Sequence, residues 1–264
     1  MTPVFPALSI VVPLVLVCTL AFTIETALGF GATLITVALG SLFLGIEPIL
    51  HALVPLNLVL SGYLVARNHV HIDRAFLLRR LLPFMALGLP IGIFVFARLD
   101  ASLLKRVFGA FLVGVSGLEL WRIAKSPSPQ SLSSEPAKEP AMQAPLGAWH
   151  ERILLILGGA IHGAFTTGGP MAVYVTSRVI DDKKAYRATL SALWALLNLA
   201  VFGWYLASGE VHAETVGLTL ALAPSIAVGM IVGEILHVRV PVATFRKVVF
   251  VMLMLAGVML LLRG

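Results

Sequence analysis

Two glycine-rich strings are where the backbone of this chain could itself do chemistry. They are Gly29-Phe30-Gly31, followed by Ala32-Thr33, and Thr166-Thr167-Gly168-Gly169-Pro170. Glycine lets a chain turn without a Cβ clash, and a proline suits the first position of a new helix. A helix that starts at such a break leaves unpaired N–H groups and the positive end of its dipole exposed. Those groups can receive a negatively charged solute with no charged side chain present. The Thr33, Thr166 and Thr167 hydroxyls can add donors or cap the helices. Small residues also let membrane helices approach closely without any ligand. The presence of both strings at matching places in a duplicated chain favours the site.

Four more positions carry chemistry that is out of place in lipid. Asn57 and Asn198 occupy equivalent places in two hydrophobic segments, where they could tie helices together or line a polar cavity. Glu25 lies four residues before Gly29. An intramembrane acid has to be paired, protonated or hydrated, which makes Glu25 a candidate for proton coupling, with a capping or packing role as the next reading. The second half has Ala164 at the corresponding place, so such a relay would be one-sided. His162, six residues before Gly168, is the other proton-coupling candidate. Arg187 opens a later segment after Lys183 and Lys184. It either anchors a helix end at the interface or helps gather anions for binding.

These positions are held by a duplicated hydrophobic scaffold. Apolar residues make up 59% of the 264 and charged residues only 12%, with a mean hydropathy of +0.97. A soluble domain would carry about 25% charge. The apolar blocks approach the roughly 20 residues of a bilayer crossing, and strand alternation is absent, so a helical bundle is expected. At an offset of 141 residues Asn57 falls on Asn198, Gly62 on Gly203, Tyr63 on Trp204, His71 on His212 and Pro83 on Pro224. Gly88 and Gly92 fall on Gly229 and Gly233, and Lys105–Arg106 on Arg246–Lys247. A two-residue gap brings Gly29-Phe30-Gly31 onto Gly168-Gly169-Pro170. Duplicated units built around a glycine-rich interruption are a common plan among secondary transporters.

Each half divides into five segments, near 7–28, 29–45, 48–66, 79–97 and 105–121, then 151–166, 168–180, 186–206, 214–236 and 244–262. The expected fold is an all-α polytopic membrane protein. It has two inverted repeats of five hydrophobic segments, the first two of each half short or re-entrant. Residues 1–122 form the first repeat, 123–150 a mobile cytoplasmic linker rich in Ser, Pro and Ala, and 151–264 the second repeat, together one transmembrane domain. Only 32 residues separate Trp149 and Ile180 inclusively, too few for two crossings and a turn at about 20 residues each. A hairpin with its tip inside the protein fits better, although two short tilted crossings would return the chain to the same side.

Five is odd, so the second half enters from the opposite face. With the N-terminus outside, 15 of the 19 Lys and Arg residues fall on cytoplasmic connections and 4 outside, which selects that orientation. Both termini then face outward and the linker inward. The first segment lacks the basic lead of a signal peptide and runs into the Gly29 string, so it is expected to be retained.

The net charge of +6 is accounted for by this topology rather than by nucleic acid. Cys18 is the only cysteine, which excludes a disulfide, a thiolate metal site and a dithiol pair. No phosphate-binding GxxxxGK[ST] string is present, and no set of catalytic acids, Ser–His pair or metal ligands gathers. No metal, cofactor or enzyme activity is expected.

The GFGATL string, the central polar linker, and GAFTTGGPMAVYV followed by KKAYRATLSALWALLN resemble the sulfite exporter TauE/SafE family, across nearly all of the chain apart from the linker. This family often presents more glycine where this chain has Thr-Thr-Gly-Gly, which bears on the substrate. The resemblance implies a bacterial inner-membrane, multi-pass carrier for small anions such as sulfite or short organosulfonates. The expected function is a secondary transporter working by alternating access, with export favoured. A passive anion channel, or uptake of another small carboxylate or sulfur anion, is the alternative. Substrate contacts are expected from Gly29, Phe30, Gly31, Thr33, Asn57, Thr166, Thr167, Gly168, Gly169, Asn198 and Arg187. The expected partners are the small anionic substrate, the lipid bilayer and protons as coupling ion; a homo-oligomer is compatible with the sequence.

Overall fold

The computed structural model describes residues 8–125, 148–239 and 242–263, and among these every regular element is helical. The first half contains α1 (Leu8–Leu28), α2 (Ala32–Gly40) and α3 (Ile46–Asn68). A 3₁₀ turn (His69–His71) leads to α4 (Arg74–Phe76), a wide π-helical turn (Leu77–Leu81), α5 (Leu82–Phe96) and α6 (Ala101–Lys125). The second half contains α7 (Ala148–Phe165), α8 (Gly169–Thr176), α9 (Lys183–Ala207), α10 (Ala213–Leu222), α11 (Pro224–Arg239) and α12 (Val242–Arg263). Among the described residues, six helices or helix pairs are long and apolar enough to cross a membrane.

Polarity is inverted relative to a soluble protein. Leu8, Val12, Leu16 and Leu20 form an exposed stripe at four-residue spacing on α1, and Leu87, Ile91 and Phe94 form one at four- and three-residue spacing on α5. Thr23, Glu25, Thr26, Asn57, Ser61, His162 and Asn198 are buried. In hydrocarbon, apolar side chains can face outward at no loss, whereas polar groups must find partners inside.

The repeat-matched prolines mark helix breaks. Pro83 follows the π-helical turn, and Pro224 starts α11 after the break at Ala223. Proline lacks an N–H and its ring crowds the carbonyl four residues back, so the helix must widen or restart there.

Helices pair across the two halves: α5 packs on α7, α11 on α1, α6 on α12 and α3 on α9. The glycines matched by the duplication sit at two of these crossings. A Cβ on Gly88 would run into the Ile156 carbonyl oxygen, and one on Gly92 into that of Ala160, both on α7. A Cβ on Gly229 would meet Phe22 Cβ at 2.6 Å, and one on Gly233 would meet Thr26 Cβ at 2.6 Å, both on α1. Only glycine allows so close an approach.

The expected segments are recovered, with three differences. The first segment is no stub: α1 has 21 residues, the length of a full crossing. The segment expected over 29–45 is helical only over Ala32–Gly40. Residues 123–125 and 148–150, assigned to the linker by composition, instead extend α6 and α7, while 126–147 lie outside the described residues. Composition registers where lipid-facing residues stop, but helical hydrogen bonding continues through turns with amphipathic anchors. Lys125 lies over the Trp121 ring at 4.1 Å and Arg152 over Trp149 at 5.9 Å.

Candidate functional site

Both glycine-rich strings form sharp reversals between paired helices. Gly29 and Gly31 adopt φ of 85° and 114°, in the region open to glycine. The chain then folds α2 back along α1, so that a Cβ on Gly40, at the far end of α2, would lie 3.0 Å from Leu14. In the second half α8 folds back on α7, with Met171 beside Gly158. At nine residues α2 is about 14 Å long, half the thickness of a hydrocarbon core.

The two reversals border one small buried cavity, with about 30 Å³ of space for the centres of water molecules. That is room for about two waters. The first half contributes Glu25, Phe30, Gly31, Thr33, Leu34 and Asn57, with Asn57 midway along α3. The second half contributes His162, Thr166, Thr167, Gly169, Pro170, Trp194 and Asn198.

On the first-half side two hydrogen bonds join the polar groups, and Asn57 Oδ1 is left buried without a partner. Glu25 Oε2 accepts a 2.7 Å hydrogen bond from the Ala32 backbone N–H at the start of α2. Asn57 Nδ2 donates to Thr33 Oγ1 at 2.6 Å. Glu25 thus caps a helix start, the reading that stood second to proton coupling on sequence grounds.

On the second-half side the polar groups are open. Thr166 Oγ1, Thr167 Oγ1, both His162 ring nitrogens and Asn198 Oδ1 are buried without a hydrogen-bond partner. Asn198 lies within electrostatic reach of the His162 ring, yet neither ring nitrogen makes a hydrogen bond of ordinary geometry. Buried polar atoms are nearly always paired, so a group of orphans around one hollow marks a place for a ligand or ordered water. Thr166 is also the one non-glycine residue at positive φ among those described, at 50°. A β-branched residue is strained there, and such strain gathers at functional sites.

Three of the residues expected at the site lie outside the cavity wall. Gly29 supports it from behind: its carbonyl accepts from Trp194 Nε1 at 3.0 Å, and a Cβ on it would rest against the Arg187 stem. Gly168 is packed against α7, where a Cβ would run into the Gly158 carbonyl oxygen. Arg187 donates to Glu234 at 2.5 Å, while its buried Nε has no partner. Thr189 of the same R-A-T string accepts from the Asp73 N–H through Oγ1 at 3.0 Å.

Trp194 and Leu34 are wall residues that the sequence reading passed over. Trp194 stacks on His162 with ring centroids 5.7 Å apart and planes 12° apart, while its N–H holds the first reversal. A signal was present. Tryptophan usually sits at the membrane interface, and this one falls mid-segment, four residues before Asn198 on the same helical face.

A polar contact lies toward each end of α9. Arg187–Glu234 is near its start, and at the other end His51 Nε2 meets Glu210 at 3.2 Å, with the His51 ring edge-on to Tyr205 at 4.4 Å. Among the described residues no group of three His, Cys, Asp or Glu could hold a metal ion.

The sulfite exporter TauE/SafE family model matches residues 14–260, a span containing both reversals and every cavity residue. The chain belongs to the sulfite exporter TauE/SafE family. It is thus a multi-pass membrane protein of an anion-exporting family. No curated protein and no solved structure matches the chain.

Proposed function

We propose that the protein is a secondary transporter that carries a small oxyanion, sulfite or a short sulfonate, across the bacterial inner membrane by alternating access. The observation that carries this reading is a cavity bordered by two helix starts and a set of unpartnered polar groups. Exposed amides and positive dipole ends attract an anion at low desolvation cost. A hollow for about two waters suits a compact oxyanion better than a long organic one.

The inverted repeat is part of the proposal. Its support is the exchange of partners: the fourth segment of each half packs on the first of the other, third on third and fifth on fifth. In this arrangement the two reversals border the substrate cavity, and the Arg187–Glu234 and His51–Glu210 contacts close the two ends of the pathway. Both termini lie outside and 126–147 inside, as the charge distribution favours. Glu25 and His162 are the cavity groups able to exchange a proton. An inside-negative potential favours exit of an anion by about 2.3 kcal/mol per charge per 100 mV, so export can proceed without proton coupling.

The test is flux of radiolabelled sulfite and short sulfonates in proteoliposomes, with and without a pH gradient. Saturable flux that falls when Asn198 is replaced by Leu is expected. Flux that never saturates would mean a channel, and no flux of any anion would overturn the reading.

A further inference from the structure

We propose that the two helix starts are functionally unequal: Glu25 is a tethered occupant of the first, and the transported anion is received by the second, at the start of α8. This rests on the anion-transport reading above.

The first helix start already holds an anion-type ligand. Gly29 and Gly31 turn the chain so that a carboxylate seven residues upstream reaches the Ala32 N–H at 2.7 Å. Thr33 and Asn57 beside it are bonded to each other. The first amide of α2, which an external anion would use there, is taken within the chain, and the Thr33 hydroxyl accepts from Asn57.

The second start lacks this occupant. At the repeat offset of 139, Ala164 stands for Glu25 and Met171 for Ala32. No side chain of the N-cap residue, Gly168, closes α8. The first amides of a helix have no partner within it, and here the donors nearest them are also unused. Thr166, Thr167 and His162 each carry a buried polar atom with no partner and border the cavity, whereas Asn198, like Asn57 across from it, leaves only an acceptor unpaired. Each is at most 5% exposed.

Charge enforces the same choice. When Glu25 is ionised, its carboxylate and a substrate anion in one buried space repel each other. The dipole of α2 offsets Glu25 locally, which leaves the dipole of α8 as the unspent positive end. The duplication would therefore have kept two reversals while filling one with its own acid, making Glu25 a determinant of where the substrate sits and how tightly.

The experiment is sodium sulfite binding to the full chain in detergent by isothermal titration calorimetry. Glu25→Gln retains an oxygen acceptor for the Ala32 N–H and removes the charge, and it should tighten sulfite binding by about tenfold or more. Thr167→Val should weaken binding by about tenfold, and the equally isosteric Thr33→Val should weaken it several-fold less. Unchanged or weaker binding in Glu25→Gln overturns the proposal, as does a Thr33→Val loss equal to that of Thr167→Val. Wild-type protein that binds sulfite but shows either of these results refutes only the asymmetry. Wild-type protein that neither binds nor moves any anion refutes the transport reading itself.

Discussion

Thr166 is held at φ 50° with its hydroxyl buried and unpartnered, so the side chain and the backbone make separable contributions. Thr166→Ala removes the hydroxyl and the methyl but leaves a Cβ in left-handed backbone. Thr166→Gly removes the Cβ as well. A left-handed L-residue is strained by about 1–2 kcal/mol. Glycine returns about 0.4–1 kcal/mol of that through the greater freedom of its unfolded chain. Thr166→Gly should therefore be about 1 kcal/mol more stable than Thr166→Ala, near the middle of the difference between those two ranges. For a chain of this size that is about 2–4 °C in thermal midpoint, measured on both variants in the same detergent. Both variants lose the hydroxyl, so both should show the same weakened sulfite binding, which separates strain from recognition. A Thr166→Gly midpoint at or below that of Thr166→Ala would refute the strain argument and with it the left-handed reversal at this residue.

The glycines divide into two classes by what a Cβ would meet. Gly88→Ala and Gly92→Ala place that atom on backbone carbonyls of α7 and should abolish monodisperse protein, whereas Gly62→Ala and Gly203→Ala, with nothing within 4 Å, should raise stability by about 0.5–1 kcal/mol; size-exclusion profiles and melting curves decide. Trp194→Phe removes the N–H that holds the Gly29 carbonyl, leaving that acceptor buried and unpaired, and should lower stability by about 1–3 kcal/mol and slow sulfite flux; wild-type melting and flux would show that the first reversal does not depend on this bond. Arg187 and Glu234 should show a coupling of at most about 1 kcal/mol in a double-mutant cycle of melting in detergent, because Glu234 is 41% exposed and screened, and the coupling should shrink in high salt; a coupling of several kcal/mol, or one insensitive to salt, would mean the pair is sealed from water.

How far the site was legible in the sequence can be judged from particular residues. Glycine and proline strings announce helix breaks because φ and the missing N–H are properties of the residue alone. The two reversals were therefore expected where they occur. Asn57, Asn198 and His162 stood out because polar groups inside apolar runs are expensive wherever the fold puts them. Arg187 and Trp194 were not legible in this way. An arginine at a helix end can serve a vestibule or a neighbouring acid, and the choice of Glu234 depends on a helix 47 residues further on. Trp194 acquires its role from a carbonyl 165 residues earlier in the chain.

The sequence by itself determined the class of protein, the helical content and the points at which helices must stop. Hydrocarbon leaves the backbone only helices or closed barrels to satisfy its hydrogen bonds, and the sequence lacks the alternation of a barrel. Tertiary structure alone decided which helices face each other, that the two reversals border one hollow, and that Glu25 closes the first helix start while the second stays open. Those outcomes depend on distances between side chains far apart in sequence, and no local pattern of residue types encodes a distance.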